Sequence, residues 1–340
     1  MASTERGAEP ITEARDAGVA ARCPCTDLAA VTERSALAAG RLLGRGDPEM
    51  ADRAASVAMR EALDAVPVSG TLVIGRDDEA HALHEGAELG SGGRRLDLAC
   101  DPVGNGTAVA GGRPGALSIL AASDPGGLMQ VPRMYMRKMA VGPVAKGRID
   151  LRQPVRENLE AIADAFGRRV ADVTAIVLDR TRHDDLVAEI REAGARIKLI
   201  ADGDIMASIS AAIRGTNDHL AIGIGGAPEG IIAAAALRCL GGELQAQFWP
   251  TTRSEIDELA ALGIDDYNRV FTTEDLAPGE MIVAATGVSN GDLLRGVRYL
   301  ADSALTTSLV MCTRCNWVRF TDGIHFFARE RREDVRLFGV

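Results

Sequence analysis

Residues 173–240 read VTAIVLDRTRHDDLVAEIREAGARIKLIADGDIMASISAAIRGTNDHLAIGIGGAPEGIIAAAALRCL, and this stretch decides the fold class. Val173 to Leu178 is a short apolar run of the kind that forms a buried strand. His183 to Ala193 has helical spacing. Ile197 to Ile200 reads as strand, Ile205 to Ile213 as helix, Leu220 to Ile224 as strand and Glu229 to Leu240 as helix. Strand and helix alternating at this interval predict an α/β fold with a layered sheet. Such sheets place ligands at the loops beyond their strand ends. Here those loops are charged or glycine-rich: Asp179-Arg180-Thr181-Arg182-His183, Asp202-Gly203-Asp204, and Gly223 to Gly230.

Working outward, Asn158 to Phe166 is expected to be helical, and Thr71 to Gly75, Leu96 to Cys100 and Ala116 to Ala122 to be strands. Residues 27–66 read as two helices split at Gly44-Arg45-Gly46-Asp47-Pro48. The expected organisation is a flexible leader over 1–26, an N-terminal α+β domain over 27–150 and a C-terminal α/β domain over 151–340. The chain of 340 residues has a net charge of -10, which opposes nucleic acid and anionic lipid as partners. A phosphorylated substrate would therefore need a local basic pocket or a cation. No stretch approaches the roughly 20 apolar residues of a membrane helix. The first residues carry Glu5, Glu9, Glu13 and Asp16 and lack a signal peptide's apolar segment, so a cytoplasmic location with reduced cysteines is expected. Cys23-Pro24-Cys25 and the Cys312, Cys315 pair raise the question of zinc. The C-x-C spacing is not a usual ligand pair and no histidine stands at finger spacing, so the expectation is structural or incidental thiols.

Asp101-Pro102-Val103-Gly104-Asn105-Gly106-Thr107 offers a carboxylate at a sharp turn, as Mg²⁺ prefers, though the same residues make ordinary turns. Gly225-Gly226-Ala227-Pro228-Glu229-Gly230 opens a helix. Its glycines would let a phosphate approach the helix N-terminus, while Glu229 could serve only the helix dipole. Arg180 and Arg182 form a local cationic pair, suited to phosphate or simply solvated. Asp202 and Asp204 could bind sugar hydroxyls, hold a cation or cap the next helix.

Together and in this order, these segments resemble the class II fructose-1,6-bisphosphatases. The similarity runs from about Val31 to about Thr321. It is densest at Met134-Tyr135-Met136-Arg137-Lys138, Gly142 to Gly147, Asp179 to His183, Ala201 to Asp204, Gly223 to Gly230 and Ala285 to Val288. Leu178 to Gly242 is most similar to the branch that also takes sedoheptulose bisphosphate. The resemblance implies the layered α/β/α/β/α fold of the metal-dependent, lithium-sensitive sugar phosphatases. It implies Mg²⁺ or Mn²⁺ as cofactor, a small-molecule sugar phosphate as partner and a homo-oligomer, dimer or tetramer. It assigns metal ligation to Asp52, Asp101 and Glu229, with Asp101 and Thr107 as catalytic residues, the Thr107 hydroxyl positioning the attacking water. Tyr135, Arg180, Arg182, Asp202, Asp204 and Gly226 match positions that hold the sugar and its distal phosphate.

The chain departs from the family's pattern at two points. Ile74-Gly75-Arg76-Asp77-Asp78 stands where the family has Ile-Gly-Glu-Gly-Glu, whose first Glu is a metal ligand. Asp101 to Thr107 lacks the Glu of Asp-Pro-x-Glu-Gly-Thr and has one residue inserted, with Asn105 offering a neutral oxygen. Weakened metal binding is the expectation, with Arg76 a substitute cation able to hold phosphate and Asp77 or Asp78 able to swing in. The implied function is hydrolysis of a ketose phosphate or bisphosphate. The alternatives are non-hydrolytic chemistry on the same substrate, or a non-catalytic paralogue that binds sugar phosphate.

Overall fold

A computed structural model of the protein describes residues 23–327. The expected leader lies outside the described residues as far as residue 22, while Cys25 and Thr26 already belong to the first helix. In chain order the first elements are α1 (Cys25–Gly40), α2 (Pro48–Asp64), β1 (Val68–Ile74), β2 (Glu88–Leu89), β3 (Arg94–Gly104), α3 (Gly106–Gly111) and β4 (Leu117–Ser123). The middle of the chain holds β5 (Tyr135–Val141), α4 (Val155–Phe166), β6 (Thr174–Leu178), α5 (Asp184–Ala193), β7 (Arg196–Ile200), α6 (Asp204–Ala212), β8 (Leu220–Gly226) and α7 (Ala227–Leu240). The last elements are β9 (Glu243–Phe248), α8 (Arg253–Ala261), β10 (Phe271–Thr272), α9 (Thr273–Leu276), β11 (Met281–Gly287), β12 (Arg298–Tyr299), β13 (Ser303–Cys312) and β14 (Trp317–Phe326).

The strands form two mixed sheets. The first is ordered β12-β13-β11-β4-β3-β1-β2, with β14 beside β13, and the second β10-β9-β5-β8-β6-β7. The sheets do not divide the chain at residue 150: β5 lies before it in the second sheet, and β11 to β14 lie after it in the first. Two-residue periodicity explains how each sheet covers helices on both sides. From β3 and β4, Leu98, Cys100, Leu120 and Ala122 join Leu28, Val31, Met59 and Leu63 of α1 and α2 in one core. The alternate residues Ala99, Ile119 and Ala121 join α6 and α7 and one face of the second sheet in another. Met139, Val141, Ala175 and Val177 point the other way, onto Leu159, Ile162 and Ile190 of α4 and α5. The result is the α/β/α/β/α layering.

The central helix α7 is apolar all round, as a helix covered by sheets on both sides must be. Ile231, Ile232, Ala233, Ala234, Ala235, Ala236 and Leu237 are all 2% exposed or less. The small alanines let both sheets come close. The helix N-terminus is thereby fixed between the two sheets, at the end of β8. At the other end of the chain, Asp47 caps α2 by accepting the Met50 N–H at 2.8 Å, and Pro48 occupies the first turn, where a missing N–H costs nothing. Among the described residues, no helix is long and apolar enough to cross a membrane.

Candidate active site

The β8–α7 junction organises the site. Tyr135 lies opposite Gly226 in the β5–β8 ladder, and Lys138 opposite Gly223. Lys138 is only 8% exposed, and its Nζ stands 2.5 Å from Asp204 Oδ2 and 2.8 Å from the Gly226 carbonyl. A buried ammonium needs such partners. The glycines make room for these groups. A Cβ on Gly225 would collide with the Asp204 carboxylate, and one on Gly226 would collide with the Glu229 carboxylate. The Gly-Gly pair is thus required by close approach of two acidic side chains, on either side of the strand end.

The acidic half of the cleft contains Asp101 from β3 and Glu229 from the first turn of α7. Both line one cavity with Arg76, Arg133, Cys100 and Pro228. Among the described residues, neither carboxylate has a hydrogen-bond or ion-pair partner in the protein. Burial, and then the neighbouring charge of Glu229, push the Asp101 carboxyl up to about 7. Asp52 and Asp202 add to this, and Arg76 opposes it. Asp52 on α2 is differently placed. Its Oδ1 accepts a short hydrogen bond from Arg76 Nη2, and its Oδ2 lies 3.2 Å from His81 Nε2. Among the described residues, Asp52, Asp101 and Glu229 are not gathered into a ready-made metal-binding group. Asp77 and Asp78 do not line this cavity: Asp77 pairs at 3.7 Å with Arg133, which does, and Asp78 accepts the Ala80 N–H at 2.9 Å.

Two further cations, Arg180 and Arg182, stand by the end of β8. Arg182 donates from Nε and Nη2 to the Ile224 carbonyl at 3.2 and 2.9 Å, and its guanidinium lies 4.9 Å over the Tyr135 ring. That holds its charge on an aromatic platform facing solvent. Arg180 is exposed and, among the described residues, donates only to the Asp179 carbonyl, at 3.1 Å. Asp202 accepts the Gly203 N–H at 2.9 Å, a local turn bond, and is close enough to Asp101 to raise its pKa. The Thr107 hydroxyl donates to Asn105 Oδ1 at 3.1 Å, and the same oxygen caps α3 through the Ala108 N–H at 2.9 Å. Asn105 sits in the left-handed region, at φ 82, as its short amide tolerates.

Three contributors escaped the sequence reading as individuals. Lys138 had a weak signal, an ammonium between Met136 and Met139 in a stretch that Arg137 also interrupts. His183 ties β6 to β8: Nδ1 donates to the Leu178 carbonyl at 2.8 Å and Nε2 accepts the Ile224 N–H at 2.7 Å. Burial lowers its pKa, which suits that neutral tautomer. His81 had no signal, because its contact with Asp52 bridges elements 29 residues apart.

Residues 23–325 match the family model for bacterial, glpX-encoded fructose-1,6-bisphosphatase. The chain belongs to this family. It is 42% identical over 335 residues to the D-fructose 1,6-bisphosphatase class 2/sedoheptulose 1,7-bisphosphatase of Synechococcus sp. (strain JA-3-3Ab), covering 90% of this chain and 96% of that one. A protein of the same name from Thermosynechococcus vestitus is 40% identical over 329 residues, with 88% and 95% covered. That of Synechococcus elongatus is 40% identical over 325 residues, with 87% and 94% covered. Membership makes the chain a phosphoric monoester hydrolase of the fructose-bisphosphatase type, and enzymes of this family depend on divalent metal.

The donor set suits such a cation. Asp101 and Glu229 are hard oxygen donors, unpartnered and mutually repelling, so a divalent ion between them would relieve both. Asp52 carries the right chemistry but is neutralised by Arg76.

Proposed function

We propose that this chain hydrolyses the 1-phosphate of a ketose bisphosphate, fructose 1,6-bisphosphate or sedoheptulose 1,7-bisphosphate, with Mg²⁺ or Mn²⁺. The observation that carries this reading is the unpartnered Asp101–Glu229 pair lining one cavity at the N-terminus of α7, next to the end of β8 where Tyr135 lies opposite Gly226 and Arg182 is bonded to the Ile224 carbonyl. Asp101 and Glu229 would hold the cation, joined by Asp52 when Arg76 releases it. A bound divalent ion would neutralise charge on the transferring phosphoryl group.

The chain's own residues supply the rest. Arg182, held flat on Tyr135, offers a guanidinium to the distal phosphate, with Arg180 beside it. Asp202 and Asp204 accept hydrogen bonds from sugar hydroxyls, and Lys138 fixes the orientation of Asp204. Gly226 leaves space for Glu229. Thr107, turning from Asn105, orients the attacking water. Arg76 lies close enough to Asp101 to interact with its charge and stands ready to meet phosphate oxygens in the same cavity. The reading extends to a cytoplasmic homo-oligomer, dimer or tetramer, which light scattering on the purified protein would test.

Phosphate release from the purified protein should be seen with both bisphosphates plus Mg²⁺ or Mn²⁺, and not with the monophosphate products. Tight binding of the bisphosphates without release would instead make the chain a sugar-phosphate-binding paralogue.

A further inference from the structure

Away from the cleft, cysteines from the two ends of the described chain meet. Cys23 and Cys25 flank Pro24 at the start of α1, Cys312 ends β13, and Cys315 lies in the turn leading to β14. Their four Sγ atoms all lie within 4.8 Å of one another. Cys23 and Cys25 are 2.8 Å apart, Cys25 and Cys315 3.6 Å, and Cys23 and Cys312 3.8 Å. The two pairs lie far apart in sequence, and neither alone suffices for a metal site. The fold joins them because α1 packs across β11 and β13, which carries its first turn to the tip of the β13–β14 hairpin.

The spacing suits a single tetrahedral ion. Zinc–sulfur bonds of about 2.3 Å set thiolates about 3.8 Å apart, close to two of these distances, while the Cys23–Cys25 edge would open on binding. Four sulfurs this close leave no room for an iron–sulfur cubane between them. The Cys315 N–H points at Cys312 Sγ from 3.3 Å, a donor that favours a thiolate there. Among the described residues no side chain caps the first turn of α1, so the positive end of its dipole lies beside Cys25. Cys25 and Cys312 are each 2% exposed, with Cys23 and Cys315 half-buried. Such a cage has no open position for substrate, which marks it as structural rather than catalytic.

We propose that Cys23, Cys25, Cys312 and Cys315 bind one structural Zn²⁺ that clamps the start of α1 to the β13–β14 turn. The ion would close a loop of 290 residues between Cys25 and Cys315, restricting the unfolded chain and fixing the edge of the first sheet. This site is independent of the phosphatase reading.

The test uses the full chain, dialysed against EDTA to strip weakly held ions. Elemental analysis should find about one zinc per chain, released when the thiols are alkylated. Asp101→Asn should keep its zinc, and Cys312→Ser should fall below about a tenth of an ion per chain with a lowered Tm. Should Cys312→Ser fail to fold, wild-type protein reconstituted with Co²⁺ should show thiolate-to-cobalt charge transfer and the strong visible bands of tetrahedral cobalt. Wild-type protein that is zinc-free with four alkylatable thiols, or that carries a disulfide among them, overturns the proposal. Stoichiometric iron in place of zinc overturns the assignment of the ion.

Discussion

Arg76 Nη2 donates a short hydrogen bond to Asp52 Oδ1, so a guanidinium occupies a carboxylate that the family pattern gives to metal. Burial works against the Arg76 charge. The charge and hydrogen bond of Asp52, and the charge of Asp101, more than offset it and hold its pKa above the usual value. Arg76 therefore stays cationic in the cleft. Under the proposed reading it would compete with a divalent ion for Asp52, and it opposes the rise in the Asp101 pKa. The same positive charge that weakens a metal site improves an anion site, and the two effects separate experimentally.

Arg76→Ala frees Asp52. The half-saturating concentration of Mg²⁺ should fall about tenfold, equal to ~1.4 kcal/mol, with activity titrated against metal at saturating bisphosphate. An unchanged metal requirement together with a raised KM for the bisphosphate would show that Arg76 serves the phosphate instead.

Lys138 holds Asp204 from below, and both groups are largely enclosed. Lys138→Met leaves the Asp204 carboxylate without its partner, and breaking such a pair costs about 3 kcal/mol. Chemical denaturation should register a loss of that order. KM for the sugar phosphate should also rise, because Asp204 is no longer oriented. Lys138→Met combined with Asp204→Leu should recover much of the stability and none of the affinity. If the double variant is no more stable than the single one, the pair is not what stabilises this junction.

Gly226→Ala tests why the motif needs its second glycine. The new methyl group meets the end of the flexible Glu229 side chain rather than backbone, so the side chain can swing aside at little cost in stability. It cannot do so and still face Asp101. Activity should fall at least about a hundredfold, or ~2.7 kcal/mol of barrier, while the melting temperature stays within a few degrees of wild type. Near-normal activity in a folded Gly226→Ala protein would remove Glu229 from the reaction.

The second half of the fold was legible because its order is local. The strand expected at 173–178 is β6 at 174–178, the helix expected at 183–193 is α5 at 184–193, and the next elements agree within a few residues. Uninterrupted apolar runs ended by glycine or charge leave little choice of structure. β5 was not legible, since Arg137 and Lys138 break its apolar run, and Lys138 is tolerated only because Asp204 and the Gly226 carbonyl await it. The return of β11 to β14 to the first sheet depends on pairings far apart in sequence, such as Ala284 with Leu120, that no local pattern encodes. For the site, the residue types and motif order were readable. The Arg76–Asp52 bond and the meeting of the four cysteines were not, because each joins side chains across the fold.

Asp101 predicts a pH dependence for the metal-free protein. Its carboxyl is pushed from 3.8 to about 7, chiefly by burial and then by Glu229. A carboxyl raised in the folded state binds its proton more tightly there than in the unfolded chain. Below pH 4 the group is protonated in both states and costs nothing. Between about pH 4 and 7 the unfolded chain releases the proton while the fold retains it, so stability falls as pH rises, and above 7 the loss is complete. In EDTA, the wild-type melting temperature should therefore drop between pH 5 and 8 by more than that of Asp101→Asn, which has no charge to bury. Adding Mg²⁺ at pH 8 should restore much of the difference to the wild type alone, because the ion supplies the counter-charge that the proton supplied at pH 5. Parallel melting curves for the two proteins from pH 5 to 8 would show that Asp101 is ionised throughout, and that the cleft around it is wetter than its burial implies.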